Sequence, residues 1–368
     1  MATRPRTTTD VAVVGGGIIG GTVAWRLAQR GLAVTLLDRG DPHAGAATPA
    51  AAGMLAPALE HHRVRALADL CLASHARYPS FVAELEAATG ATLDYQACGA
   101  VQVALSEPEL SVLDTLASSA SDRGIPVTRL TAAEARSLEP RLGNILAALH
   151  FPREGVVDPR RLAAAVRQAA IRAGVVWRAP SDVKALHTDG TGDPTARGVT
   201  LASGERLLAE RVVLAAGSWS SAFDPGLPPA SVRPVRGQIV VLAASAPLTR
   251  VIAGGDVYLA PRSDGRVLVG STMEDVGFVQ AVTAGALATL CAGAVALVPS
   301  LATAHVVDSW CGFRPASADG LPLIGRVQST GLFVATGHHR NGILLAPLTA
   351  ELVTKMILDD GATTQHAS

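Results

Sequence analysis

The chain has 368 residues with 31 Lys plus Arg and 31 Asp plus Glu, so it is formally neutral and lacks the basic excess that a nucleic acid partner demands. Its length allows a large core and suggests two domains. Four cysteines, Cys71, Cys98, Cys291 and Cys311, stand far apart with no metal-ligand spacing, so free thiols, no structural metal and a reduced, cytoplasmic setting are expected.

Residues 1–10 carry Arg4 and Arg6 and run straight into a strand-like segment, so no export signal is expected. An apolar run at 11–14 leads into Gly15-Gly16-Gly17-Ile18-Ile19-Gly20 and a helical stretch to Arg30, which reads as strand, tight turn and helix. In that pattern Gly15 permits the turn, Gly17 lets the backbone approach a pyrophosphate, and Gly20 lets the helix pack on the strand. The helix N-terminus offers its unpaired N–H groups to the phosphates. Gly31 ends the helix, residues 33–37 form a second buried strand, and Asp38 follows at the spacing of a ribose-binding acid. Taken alone, Asp38 reads equally well as a solvated strand-end carboxylate. The combined pattern predicts a dinucleotide fold and does not choose between NAD and FAD. Residues 50–57 (Ala-Ala-Ala-Gly-Met-Leu-Ala-Pro) read either as backbone amides brought against a planar ligand or as an Ala-rich helix start.

Asp158-Pro159-Arg160 caps and starts a helix reaching about Ala173, with Gly174 closing it. A strand over 207–216 ends in Gly217-Ser218-Trp219, where the glycine suits either ligand passage or a plain turn. The alternation over 256–262 and 265–273 predicts an antiparallel hairpin turning at Ser263-Asp264-Gly265. Asp256, Tyr258 and Ala260 then share one face, with Tyr258 either in a pocket or in the core. Residues 276–307 hold no charge if His305 is neutral. Pro299 interrupts them, and Leu287, Leu290, Ala294, Leu297 and Val298 share a helical face, so an amphipathic surface helix is expected rather than a membrane span.

Two C-terminal blocks carry the most specific chemistry. In residues 310–325, Arg314 lies among apolar and small neighbours, where its guanidinium can grip a carboxylate through two parallel hydrogen bonds. A salt bridge to Asp319 or a surface position is the alternative. Residues 331–347 read as strand, polar glycine turn and a helix through about Leu358. Its N-terminus near Gly342 suits the negative charge that a reduced flavin acquires at its N1 and O2 edge.

With these segments assembled, the chain resembles the D-amino-acid oxidase and sarcosine oxidase superfamily, and within it most closely the glycine oxidases. The resemblance rests on 15–20 with Asp38, 51–57, 215–219, 234–238, 312–325 and 337–347. It implies an α/β fold with a Rossmann-like FAD-binding domain of the glutathione-reductase type, over 1–60, 145–230 and 306–368. A second α+β substrate domain, 61–144 and 231–305, is built on an antiparallel sheet that includes 235–242, 257–261 and 267–271, with helices near 63–89 and 107–123 outside it. By the same resemblance Arg314 clamps the substrate carboxylate, Tyr258 adds a hydrogen bond, Met273 lines a small pocket and Arg340 lies beside them, above a floor formed by Asp256 and Ala56. His338, His339, Arg340, Asn341, Gly342, Ile343 and Leu344 wrap the flavin pyrimidine edge. Ala52, Gly53 and Met54 border the ring, and Val183 meets the adenine side. Arg39, Ala47, Thr48, Gly217, Trp219 and Gly312 join Gly15, Gly17, Ile18, Ile19, Gly20 and Asp38 in holding FAD.

The resemblance further implies that the α-hydrogen leaves as hydride to flavin N5, that the resulting imine is hydrolysed, and that molecular oxygen becomes hydrogen peroxide. Two positions depart from the glycine oxidases, which carry a histidine where this chain has Asp256 and a glycine where it has Ala56. The amine is therefore open: glycine for thiamine assembly, sarcosine, a D-amino acid, or a larger N-carboxymethyl amino acid in a natural-product pathway. A quinone-linked D-amino-acid dehydrogenase docked on a membrane is a further reading. Aligned on Asp319, Gly312 rather than Cys311 takes the place of the cysteine that anchors FAD in sarcosine oxidases, so non-covalent FAD is expected. Whether the chain forms a homo-oligomer is left open.

Overall fold

The computed structural model describes residues 7–40, 45–59, 64–188, 196–223, 227–327 and 331–365, so Arg4, Arg6 and Arg63 lie outside the described residues. The first sheet runs in the order Val176–Arg178, Val34–Leu37, Thr7–Val14, Arg206–Leu214, Leu332–Thr336 and Leu323–Arg326. All neighbours are parallel except the last pair. Side chains alternate along a strand. Val11 and Val13 therefore face the helices Ile18–Gln29, Pro159–Arg172 and Gly342–Gln365, while Ala12 and Val14 face the other way, toward Leu186, Val199 and Leu207. The antiparallel strands Val183–Thr188 and Ala196–Leu201 supply that second face. Helix ends follow local chemistry: Asp158 accepts from the N–H groups of Arg160 and Arg161, Pro159 opens the helix, and Gly31 and Gly174 leave their helices at positive φ.

The second sheet has the order His305–Ser317, Val232–Ala243, Arg266–Gly270, Val257–Pro261, Val251–Gly254, Ala100–Ala104, Ala147–Phe151 and Thr128–Thr131. One pair in it, Val251–Gly254 with Ala100–Ala104, is parallel. Helix Ala284–Leu297 covers one face through Leu290, Ala294 and Leu297, and helix Glu107–Asp122 covers the other through Leu113, Leu116 and Ala120. The uncharged stretch over 276–307 thus contains a 14-residue helix, short for a membrane span, that is apolar all round rather than amphipathic: it buries Leu290, Ala294 and Leu297 and its outer side is mostly Ala and Gly. The helical segment apolar and long enough by composition to cross a membrane is 339–360, and its most apolar window is 67% buried within the fold.

Two further expectations differ from the structure, and one of two alternatives is ruled out. Residues 50–57 do not start a helix: a short turn of helix, Ala47–Ala50, gives way to an extended segment in which Met54–Leu55 pairs with Gly155–Val156. Strands 305–317 and 147–151 belong to the second sheet, because the first of them pairs along its length with Val232–Ala243. The helices Arg65–His75 and Tyr78–Thr89 do not cover that sheet. Cys71, Tyr78, Phe81 and Leu85 are buried instead with Trp25 and Leu344 in the nucleotide-side core.

That last placement also serves the backbone of the C-terminal helix. Pro347 lies inside the C-terminal helix and has no N–H to give the Ile343 carbonyl four residues earlier. The Tyr78 hydroxyl donates to that carbonyl instead, and Ser74 Oγ donates to the Leu344 carbonyl at 2.7 Å. Two side chains from the preceding helices thereby complete an interrupted turn that lies against the cavity. Tyr78→Phe is expected to cost about 1–3 kcal/mol in urea unfolding, by orphaning a buried carbonyl. In a Pro347→Ala background, where the helix regains its own N–H, the loss is expected to be smaller; an equal loss would refute this account.

Candidate active site

A cavity of about 1040 Å³ is lined by residues of both sheets. At its nucleotide end are Gly15, Gly17, Ile18 and Ile19, and the Ile18 N–H at the helix start donates to Thr48 Oγ1 at 3.0 Å. Asp38 is no freely solvated carboxylate. Its oxygens accept from the N–H groups of Gly16 at 2.6 Å and Gly40 at 2.8 Å, which fixes it at the cavity wall. Gly20 does not line the cavity; a Cβ there would lie 1.9 Å from the Gly15 carbonyl oxygen, so it serves the packing of helix on turn. Arg39, Ala47, Val183 and Gly217 also line this end, and the Arg39 guanidinium lies 4.4 Å from the centre of the Trp219 ring, which Phe278 stacks upon.

Further in, the carbonyls of Pro49, Ala50, Ala52 and Gly53 are each taken up by a donor from another element. Arg160 Nε donates to the Pro49 carbonyl at 3.0 Å, Trp310 Nε1 to Ala50 at 3.1 Å, Arg262 Nη2 to Ala52 at 2.5 Å, and the Val157 N–H to Gly53 at 2.9 Å. The buried Gly53 N–H finds no acceptor among the described residues, although Gly53 lines the cavity. A buried, unpaired amide beside a cavity marks a place for a ligand acceptor, such as the edge of a flavin ring. The fit to FAD thus has three parts: a helix N-terminus for phosphates, an oriented Asp38 for ribose, and an orphaned amide for the ring.

The loop and helix start through His338, His339, Arg340, Asn341, Gly342, Ile343 and Leu344 line the same cavity. His338 is fully buried and hydrogen-bonded to Thr349 Oγ1 at 3.0 Å, and burial pushes its pKa down to about 3. For His339, burial first and then the charges of Arg314, Arg340 and Arg233 push it down to about 4. Both imidazoles are neutral at neutral pH.

Arg314 projects from strand His305–Ser317, half-buried, with Nη1 donating to the Thr272 carbonyl at 3.0 Å and Nη2 to Ser271 Oγ at 2.7 Å. It makes no salt bridge to Asp319, whose Oδ1 accepts from the Leu321 N–H. The guanidinium lies across Gly237, where a Cβ would come within 2.2 Å of it, and the Tyr258 hydroxyl lies over Gly270 in the same way at 2.3 Å. Gly312 faces Ala50 equally closely, at 2.4 Å. Ala56 is buried in the wall and Arg340 is exposed while still lining the cavity.

Two expected pocket residues are elsewhere. Asp256 is exposed in the turn Gly255-Asp256, because the strand starts at Val257 and the alternation that carries Tyr258 and Ala260 does not extend back to it. Met273 is 56% exposed: the strand ends at Gly270, and Thr272 turns its carbonyl toward Arg314 and its hydroxyl toward the Gln238 N–H, which leaves the next side chain outward. Conversely, Gly237, Ser271, Trp310 and Arg160 line the cavity without having been singled out for it. A glycine inside the strand 235–242 was the one readable signal among these.

Comparison with known proteins bears on the whole chain. Residues 10–356 match the family described as FAD dependent oxidoreductase (DAO). The chain is 38% identical over 355 residues to the glycine oxidase of Geobacillus kaustophilus, covering 95% of this chain and 92% of that protein. A crystal structure of glycine oxidase from Geobacillus kaustophilus matches with a TM-score of 0.87 at 35% identity, over 96% of this chain and 95% of the other. The iminodiacetate oxidase of Chelativorans sp. BNC1 matches with a TM-score of 0.87 at 30% identity, over 95% of each chain. Sequence and fold agree over nearly the full length, so the chain belongs to the DAO family of FAD-dependent oxidoreductases.

Proposed function

We propose that the chain oxidises the carbon–nitrogen bond of glycine or an N-substituted glycine to an imine, which water hydrolyses to glyoxylate and an amine. The observation that carries this reading is the anchored guanidinium of Arg314, held by Ser271 and Thr272 at the cavity wall with the Tyr258 hydroxyl also lining the cavity. A guanidinium is a planar donor fork that matches a carboxylate, and its contacts to Thr272, Ser271 and, at 3.5 Å, the Arg236 carbonyl fix the orientation in which it meets the cavity. Bound FAD supplies the two-electron acceptor and passes the electrons to oxygen, giving hydrogen peroxide. The protein's own part is placement: a substrate fixed at its carboxylate presents one α-carbon in one orientation, a contribution of about 7–11 kcal/mol in favourable intramolecular cases. No side-chain base is required when the amine binds neutral, and the neutral His338 and His339 add no charge.

A larger N-carboxymethyl amine is the second reading. It is favoured by the likeness to an iminodiacetate oxidase, since iminodiacetate is itself an N-carboxymethyl glycine. The exposed Asp256 lends it no support. Side-by-side peroxide assays with glycine, sarcosine, iminodiacetate, longer N-carboxymethyl amino acids and D-amino acids separate these substrates. Anaerobic bleaching of the flavin without aerobic peroxide would replace the oxidase reading with a dehydrogenase.

Arg314→Ala is expected to raise KM about a hundredfold or more and also to lower kcat, because a charge-assisted grip and the orientation it imposes are lost together. An unchanged KM for carboxylated substrates removes Arg314 from this role. FAD is held without a covalent bond on this reading, so acid precipitation should leave the flavin in the supernatant. Yellow precipitate would contradict it.

The histidines set an acid limit. In the unfolded chain a histidine takes its proton near its ordinary value of 6.5, whereas folded His339 resists protonation until about 4 and His338 until about 3. Their folded pKa values are depressed, so the stability they allow is complete above about 6.5 and is lost as pH falls toward 4 and below. His339→Gln should flatten the fall in Tm between pH 6.5 and 4, measured against the parent chain; an unaltered slope would count against the assignment.

A further inference from the structure

Arg262 is 3% exposed and stands at the end of strand Val257–Pro261. Burying a cation costs several kcal/mol unless it is paired and hydrogen-bonded. Among the described residues it forms no ion pair within 4.0 Å, and its guanidinium donates to two main-chain carbonyls, Pro261 at 3.0 Å and Ala52 at 2.5 Å. The nearby carboxylates are engaged elsewhere: Asp94 accepts from Gln96 Nε2 and the Ser263 N–H, and Asp158 caps its helix. They act on the guanidinium as distant charges only.

The Ala52 carbonyl and the Gly53 N–H are the two ends of one planar trans peptide and point in opposite directions. Arg262 holds the carbonyl end from outside the cavity, and the other end is the orphaned amide that faces it. A charged donor on a carbonyl draws electron density through the peptide and makes the N–H a stronger donor. We infer that Arg262 is a positioning residue that aims and polarises the Gly53 amide against the flavin ring, and so favours the electron-rich, reduced flavin. The inference rests on the reading that residues 52–54 border that ring.

The test is the reduction potential of the FAD bound to the full-length holoenzyme, for the parent chain and for Arg262→Lys, Arg262→Gln and Arg262→Met. The ratio of reduced to oxidised flavin at a set potential should fall about tenfold in Arg262→Met, about 30 mV for a two-electron couple. Arg262→Lys should stay close to the parent, and Arg262→Gln should fall between. If the Met variant does not fold, the Gln variant, which keeps a donor, carries the comparison. A merely structural role would weaken binding of oxidised and reduced FAD alike, so the dissociation constants of both forms are measured. Equal potentials across the series, with FAD bound, overturn the role of Arg262 alone. A parent chain that takes up no FAD overturns this inference together with the site reading beneath it.

Discussion

The guanidinium of Arg314 can lie where it does because Gly237 has no side chain. Val232–Ala243 and His305–Ser317 pair antiparallel with Gly237 opposite Gly312 and Val235 opposite Arg314, so the arginine reaches diagonally across its neighbour's backbone. A Cβ at 237 would occupy the guanidinium's own position. The other edge of Val232–Ala243 pairs with Arg266–Gly270, and the chain leaving that strand at once supplies Ser271 and Thr272 to anchor the guanidinium. Gly270 meanwhile pairs with Tyr258 and leaves room for its hydroxyl. Two gaps in adjacent strands therefore determine where an arginine and a tyrosine meet the cavity, before any ligand is considered.

A second constraint runs through the cavity wall: buried backbone groups must be paired. Around 49–53 and again at 343–344, carbonyls that secondary structure does not satisfy are taken up by side chains from distant elements, namely Arg160, Trp310, Arg262, Tyr78 and Ser74. At the Ala52–Gly53 peptide, the carbonyl held by Arg262 leaves the amide of cavity-lining Gly53 as a donor. Because Trp310 and Arg262 come from the second sheet while Tyr78 and Ser74 come from helices of the nucleotide-side core, the cavity depends on both halves of the molecule.

What was readable in the sequence was local. The glycine fingerprint, the cap at Asp158-Pro159, the hairpin between Tyr258 and Gly270 and the buried face of helix Ala284–Leu297 each follow from spacing within one or two elements. What was not readable depends on partners far along the chain. Nothing local says which core claims the helices 65–89; they pack through Cys71, Tyr78, Phe81 and Leu85 and donate through Tyr78 and Ser74 to carbonyls of a helix about 270 residues later. Alternation placed Asp256 on the Tyr258 face because a period-two pattern carries no mark of where a strand begins, and the strand after the Gly255-Asp256 turn begins one residue too late to include it. Arg262, beside a hairpin turn, has the sequence context of a solvated residue, yet it is 3% exposed and donates to the Ala52 carbonyl 210 residues earlier.

Charge in the cavity is uneven. Arg314 and Arg340 both line it and both act on His339, and the two imidazoles there are kept neutral chiefly by burial, while Arg233 beyond the lining is paired with Asp275. Glu274, two residues after Thr272, accepts from Arg236 and Gln238. The Asp38 carboxylate is at the nucleotide end, bound to backbone amides. A corner with this balance attracts a carboxylate and, by the same field, opposes an ammonium beside it. On the proposed reading, the positive charge that holds the substrate also favours its neutral amine, the form whose lone pair can expel the α-hydrogen. A base in the wall would add negative charge where the grip needs positive, so the absence of a catalytic carboxylate among the described residues lining this corner is consistent with the electrostatics of binding rather than a deficiency of the site.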